Sequence, residues 1–297
     1  MSMITNDAVN RAIDYILGHI HEELSVDDVA AHCHFSKYYF SRMFKKETGE
    51  SVYAFIKRLK LEQSAFRMKV EPRRTVTEIG CEFGYSPSNY SWMFRQRYQT
   101  NPVNFRRTVE QATVRHAFMH MDATERVFRD LQAPETYRCL ESFEECSRKI
   151  TIQNLPDYFV LYERRIGSYH QLSGQWGDFI GKYQRFVTKD TKFLERTYDD
   201  PVITDTEGCL YDICMSVDKS VLNESVLNTC TIEGGKCAVY PYKGYGKHIY
   251  AAYQTIFTVW LPRTSYTLDY RSGFDIYHKV DSESGYMELD ICIPLRG

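Results

Sequence analysis

Residues 25–58 read SVDDVAAHCHFSKYYFSRMFKKETGESVYAFIKR, and residues 75–107 read TVTEIGCEFGYSPSNYSWMFRQRYQTNPVNFRR. Superposed with an offset of fifty, Val26, Ser36, Ser41, Met43, Phe44 and Phe55 fall on Val76, Ser86, Ser91, Met93, Phe94 and Phe105. An internal repeat of this length is one supersecondary unit used twice. Each copy opens on a helix start signal, Ser25 with Asp28 and Thr75 with Glu78, in which a hydroxyl cap and an acid three positions on satisfy each other's backbone N–H groups. Ala30 and Gly80 then provide the small residue where this short helix crosses its neighbour.

A three-residue turn follows in each copy, His34-Phe35-Ser36 and Gly84-Tyr85-Ser86. Glycine adopts positive φ freely, so an equivalent turn at His34 carries strain. Ser36 and Ser86 are placed to cap the helix that follows, and Pro87 suits its first turn. Helix, short turn, helix is the geometry that lets the second helix enter a DNA major groove. In the first of these second helices Phe40, Met43 and Phe44 make the buried stripe and Lys37, Tyr38, Ser41, Arg42 and Lys45 face outward. In the second, Tyr90, Met93 and Phe94 are core and Ser88, Asn89, Ser91, Trp92 and Arg95 are outside. Arg, Asn and Ser read base edges, while Lys and hydroxyl groups hold phosphates. The candidate DNA-binding residues are therefore Ser36, Lys37, Tyr38, Ser41, Arg42, Lys45, Ser86, Ser88, Asn89, Trp92 and Arg95.

Between the copies, SVYAFIKRLKLEQSAFRMKV (residues 51–70) has no internal Gly or Pro and reads as one helix. At ~1.5 Å per residue it spans about 30 Å, close to the ~34 Å between successive major-groove faces. One chain then carries both half-site readers, and a monomer can occupy a site. Within residues 34–107 there are 15 basic and 6 acidic side chains, a surplus of nine that suits a polyanion if the charges share a face.

Residues 7–108 resemble the DNA-binding domain of the AraC/XylS family of transcription regulators. The resemblance is carried by FSKYYFSRMFKKETGESVYAFIKR and FGYSPSNYSWMFRQRYQTNPVNFRR, the second ending in Pro102 and Phe105-Arg106. His34 replaces the family's usual Gly, and Trp92 stands where an Arg is common. The resemblance implies promoter DNA and RNA polymerase as partners and activation as the mode of control.

The 297 residues leave room for a second domain, with 43% hydrophobic content for its core. Residues 1–108 carry 16 Lys/Arg against 12 Asp/Glu, and the remainder 21 against 27, so the halves differ in sign. Nine cysteines without CxxC spacing suit buried thiols in a reducing cytoplasm. Neither a signal peptide nor an apolar run near the roughly 18 residues of a membrane span is present, so a cytoplasmic protein with no membrane partner is expected. Residues 109–155 read as a connector containing the helix-like TVRHAFMHMDATERVFRDL. His116 and His120 lie four apart there, but without a third ligand they make no metal site. No cofactor is expected.

Beyond Pro156, strand, Gly turn and helix textures occur twice, in DYFVLYERRIGSYHQLSGQWGDFIGKYQRFV and in GGKCAVYPYKGYGKHIYAAYQTIFTVWLP, each followed by strand patterns. The fold expected is an all-α N-terminal domain (1–108) with two helix-turn-helix units and an α+β C-terminal domain (156–297) with two strand-helix-strand-strand repeats sharing an antiparallel sheet. Residues 156–295 resemble the GyrI-like effector-binding domain through Ile166-Gly-Ser-Tyr169, Tyr211-Asp212, Trp260-Leu-Pro262, Phe274-Asp-Ile-Tyr277 and Asp290-Ile-Cys-Ile-Pro294. That resemblance implies a small-molecule effector. Tyr169, Trp176, Tyr211, Trp260, Asp275 and Tyr277 are the candidate ligand residues, and aromatic faces around one carboxylate favour an organic cation. Strand alternation predicts Asp275 and Tyr277 on one face, with Phe274 and Ile276 on the other. Two alternatives stand beside this sensor: a hydrolase built on the same pocket, and a domain that binds a macromolecule. No Ser-His-Asp set, metal motif or phosphate loop supports the hydrolase.

Overall fold

A computed structural model of the chain describes residues 2–112, 140–169, 172–201, 203–220, 228–281 and 283–297. A two-residue strand, β1 (Ser2–Met3), precedes helices α1 (Asp7–Gly18), α2 (Val26–His32), α3 (Lys37–Thr48), α4 (Val52–Val70), α5 (Val76–Glu82), α6 (Pro87–Tyr98) and α7 (Pro102–Ala112). Both capping boxes form, Ser25 with Asp28 and Thr75 with Glu78. The repeat extends to the turns: His34 (φ 62°) matches Gly84 (φ 80°), and Gln99 (φ 53°) matches the helix-ending Gly49 (φ 82°). His34 thus carries the left-handed strain expected of it. Ser86 caps the N–H of Asn89, whereas Ser36 holds the same position without a side-chain hydrogen bond. The first serine is a cap by backbone conformation only, and its hydroxyl is left exposed.

Helix α4 is the axle of this half. Val52, Phe55, Ile56, Leu59, Ala65 and Met68 are buried against both copies. The same helix buries Lys60, Glu62, Arg67 and Lys69, and each has a partner. Much of the basic surplus is consumed this way. Arg58 and Arg97 hold Glu62, Arg67 and Arg74 hold Glu71, Lys69 holds Asp200, and Lys60 donates to the carbonyl of Glu22. The nine surplus charges do not share one face.

The second half begins with α8 (Phe143–Lys149) and continues through β2 (Thr151–Leu155), β3 (Tyr158–Ile166), α9 (Leu172–Tyr183), β4 (Phe193–Thr197), β5 (Leu210–Ser216), β6 (Thr229–Ile232), β7 (Gly235–Tyr245), α10 (Ile249–Gln254), β8 (Phe274–Asp281) and β9 (Tyr286–Pro294). The expected repeats are β3-α9-β4-β5 and β7-α10-β8-β9. They join edge to edge in an antiparallel sheet of order β1-β3-β5-β4-β8-β9-β7-β2, with β6 on the outer edge of β3 beside β1. The seam between the repeats is the β4–β8 pair. Strand β2 falls inside the segment expected to be connector, yet it pairs with β7 over its whole length and belongs to the sheet. His116, His120 and the helix-like phrase around them lie outside the described residues.

The sheet's faces have different roles. One packs α9 against Leu161, Tyr211, Ile213 and Met215, and α10 against Tyr240, Leu289 and Ile291. The other buries Val160, Leu194, Cys214, Phe274 and Ile276. Ile166, Ile203 and Leu210 join the core of the helical half, so one apolar cluster runs across both halves.

Gly80 is a close approach, because a Cβ there would meet the Tyr90 ring at 2.7 Å. Tyr90 cannot swing away, since its hydroxyl donates to Ser64 at 2.8 Å deep in the core. Gly80→Ala is therefore expected to destabilise the protein by about 1–3 kcal/mol through overpacking, measured by denaturant unfolding. Gly18→Ala, with open space around the site, is the control.

Candidate functional site

The β4–β8 register pairs Phe193 with Tyr277 and Glu195 with Asp275, which places these four side chains on the helix-covered face. Phe274 and Ile276 take the opposite face, as strand alternation predicts. Here the two repeats meet, and α9 and α10 converge over the seam from either side. Tyr253 of α10 donates its hydroxyl to both oxygens of Asp275 at 2.7 Å. Tyr277 donates to Oε2 of Glu195 at 2.9 Å. Trp176 of α9 meets Tyr277 edge-on at 5.4 Å between ring centroids and lies 6.2 Å from Phe193. The seam thus holds two buried carboxylates inside an aromatic frame.

Glu195 and Asp275 are only 4% and 3% exposed. Burial pushes the Glu195 carboxyl up to about 7, against hydrogen bonds from Tyr277 and Trp176 that hold it down. Asp275 lies well above the ordinary carboxylate range, first through burial and then through the charge of Glu195. Burial raises the hydroxyls of Tyr253 and Tyr277 as well. Near the start of α9, the rings of Tyr169, which precedes the helix, and Tyr211 of β5 pack at 4.8 Å, and the Tyr211 hydroxyl donates to Oε1 of Gln175 at 2.9 Å. The Tyr169 hydroxyl and the Trp176 indole N–H are both buried without a well-formed hydrogen bond.

Of the six expected ligand residues, the fold brings Trp176, Asp275 and Tyr277 together and stacks Tyr169 and Tyr211 beside them. Trp260 does not join them. Helix α10 runs on through a π-helical segment (Thr255–Trp260), which carries the indole into the β7–β9 core, where it stacks on Tyr266 at 5.8 Å. Glu195 and Tyr253 were not foreseen. The signal for Glu195 was an acid two residues from Phe193 in a short strand; for Tyr253, only the tertiary crossing of α10 over β8 reveals it.

On the opposite face a charged row crosses three strands, because Arg164, Asp212 and Arg196 are register partners. Arg164 is fully buried and donates to both oxygens of Asp212, at 2.8 and 2.9 Å. It also reaches α1, donating to the Asn10 carbonyl at 3.0 Å and to Asp14 at 2.7 Å. Arg196 and the Tyr198 hydroxyl each donate to Oδ2 of Asp212 at 2.6 Å. Burial alone would raise the Asp212 carboxyl, but the two guanidinium groups outweigh it and leave the group below its usual value. Other ties between the halves are Arg97 to Asp205, Lys69 to Asp200, Arg67 to the carbonyls of Leu268 and Asp269, and Tyr270 to Glu82.

In the helical half, α3 and α6 present their outer faces to solvent. Lys37, Tyr38, Arg42 and Lys45 are exposed, as are Ser36, Ser86, Ser88, Asn89, Trp92 and Arg95, while Ser41 is half-buried. Tyr38 is 84% exposed and Trp92 59%, unusual for aromatic side chains and suited to contact with thymine methyls or sugars. Lys37 already bridges to Asp27 at 2.6 Å, so it meets a phosphate only in competition.

Residues 148–296 match the family model of the GyrI-like small molecule binding domain, and residues 14–108 match that of a helix-turn-helix domain. The chain belongs to the GyrI-like family and carries that domain behind an AraC-type DNA-binding domain; it is a ligand-responsive DNA-binding transcription regulator. Over 295 residues it is 23% identical to the right origin-binding protein of Escherichia coli, covering 95% of this chain and 96% of that one. It is 22% identical over 294 residues to the transcriptional regulator Rob of Salmonella typhimurium, with the same coverage of each. Among solved structures it is similar to the EcmrR C-terminal domain, with 17% identity and a TM-score of 0.41 over 50% of this chain and 96% of that one.

The raised Glu195 carboxyl sets a pH dependence. Its folded value of about 7 exceeds the ordinary glutamate value of 4.5, so between these values the folded protein holds a proton that the unfolded chain has shed. Stability therefore falls as pH rises through that window. Glu195→Gln is expected to remove roughly 3 kcal/mol of this decline, seen as a flatter plot of unfolding free energy against pH than the parent's.

Proposed function

We propose that one copy of the chain reads an asymmetric promoter site with α3 and α6 in successive major grooves, and that an organic cation in the Glu195–Asp275 groove changes that reading. Residues 1–108 read DNA and residues 156–297 hold the effector in this scheme. The regulator works in the cytosol as an activator, where it meets RNA polymerase at the promoter. One observation carries the coupling. Glu195 and Arg196 are consecutive on β4, and they point to opposite faces, the first into the groove and the second to Asp212, whose other arginine holds α1. A ligand that shifts Glu195 thereby shifts the row that grips the DNA-binding half.

Fluorescence anisotropy on a DNA site selected from a random pool, with and without a lipophilic quaternary ammonium ion, tests this reading. An effector-dependent change in affinity supports it, and its absence for every cation of a panel overturns it. Allosteric couplings are typically about 1–3 kcal/mol. Asp14→Asn removes the charge that Arg164 grips on α1 and is expected to abolish most of that coupling, while DNA affinity without ligand and ligand affinity without DNA stay near the parent values.

Arg42→Ala is expected to cost roughly 1–3 kcal/mol at the selected site and to relax base preference at one position. Equal weakening on all sequences would make Arg42 a phosphate contact. Because so many of the basic residues are paired internally, the salt dependence should be shallower than nine phosphate contacts would give, a slope of log K on log salt well short of about −8.

A further inference from the structure

Five carboxylate residues are buried among the described ones: Glu62, Glu163, Glu195, Asp212 and Asp275. Three of them are each held by two cations. Glu62 has Arg58 and Arg97, Glu163 has Arg165 and Lys182, and Asp212 has Arg164 and Arg196. Glu195 and Asp275 have only neutral hydrogen-bond partners, the hydroxyls of Tyr277 and Tyr253 and the weakly placed Trp176 indole. A buried carboxylate with no cation is costly, and two side by side are more so. Glu62, Glu163 and Asp212 meet that cost with two positive charges each. At the seam the described residues supply none, although register places the two acids directly opposite each other, with Cα atoms about 4.5–5.5 Å apart.

We propose that the groove is built for a dication, a ligand with two positive centres a short distance apart, one received by Glu195 and the other by Asp275. The proposal rests on the effector reading of the groove and adds the charge class of its occupant. The aromatic frame of Trp176, Tyr253 and Tyr277 gives each centre a ring face or edge as well as a carboxylate. A single-charge ligand satisfies one acid and leaves the other protonated.

Proton linkage follows. In the free protein burial raises both carboxyls, and the charge of Glu195 raises Asp275 further. The titratable groups that interact with the pair are Tyr253 from α10, Tyr277 from β8, Tyr211 from β5, Tyr169 ahead of α9 and Cys292 from β9, all raised by burial. None of these is a cation. A dication must displace every proton the pair holds, and a monocation only one. Dication affinity therefore rises with pH by up to about a hundredfold per unit below the carboxyl values, and monocation affinity by up to about tenfold.

The test is calorimetric titration of the full-length protein from pH 5.5 to 7.5 with para-xylylene bis(trimethylammonium) and with benzyltrimethylammonium. Both carry permanent charges, so only the protein titrates. The expected result is a dication bound at least about tenfold tighter than the monocation at the upper pH, with the steeper pH slope. Glu195→Gln and Asp275→Asn should each bring the dication down to the monocation's affinity and slope. Each variant replaces a buried ionisable group that has only neutral partners with a neutral one of the same shape, so both should melt no lower than the parent, which thermal denaturation verifies. Equal affinities and equal slopes for the two probes overturn the dication inference and leave the effector reading standing. If neither probe binds the parent at millimolar concentration, the effector reading fails and this inference fails with it.

Discussion

The molecule is joined at Asp212. This fully buried carboxylate takes two guanidinium groups and a phenol, and one of those guanidinium groups, from Arg164, extends to Asp14 and the Asn10 carbonyl on the first helix. A buried cluster of this kind is tolerable only when it is complete, because removing one member leaves a charge without a partner at roughly 3–5 kcal/mol. It cannot slide by degrees. The helical half and the sheet half are therefore held in a defined relation by an interaction that is either made or broken, which is the property a switch needs.

Strand alternation places that joint and the Glu195–Asp275 pair on opposite faces of one strand. On β4, Leu194 and Arg196 face one way and Phe193 and Glu195 the other. The apolar row fixes the strand, and the polar row divides between groove and joint. The two repeats meet at β4 and β8, so the seam falls where each repeat presents an edge strand. Two carboxylates sit there with neutral partners among the described residues, while Glu163 and Glu62 each hold two cations.

The DNA-binding half shows the same economy of charge. Its net positive count suggested a broad basic face, yet Arg58, Lys60, Arg67, Lys69, Arg74 and Arg97 point inward to acids and carbonyls. A smaller set stays exposed on the outer faces of α3 and α6, with Arg42, Lys45, Asn89 and Arg95 polar and Tyr38 and Trp92 aromatic. Both reading helices ride on α4, whose long buried face ties them to each other and, through Lys69 and Arg67, to the sheet.

Much of this was legible beforehand, and the physical reason is that local signals are short-range. Capping boxes, the fifty-residue repeat, the left-handed turn at His34, the uninterrupted helix between the copies and the alternation around Asp275 all depend on residues a few positions apart. By itself the sequence determined the helix-turn-helix pair, the doubled strand-helix-strand-strand plan and one acid of the groove. What it left open depends on residues far apart in the chain. Whether Arg97 faces DNA or Glu62, whether Trp260 enters the groove or the core, and whether Glu195 stands opposite Asp275 are settled by register and packing between elements dozens to hundreds of positions apart. Only the tertiary structure decided those, since charge and aromatic character say what a side chain can bind, and the fold alone says what stands within its reach.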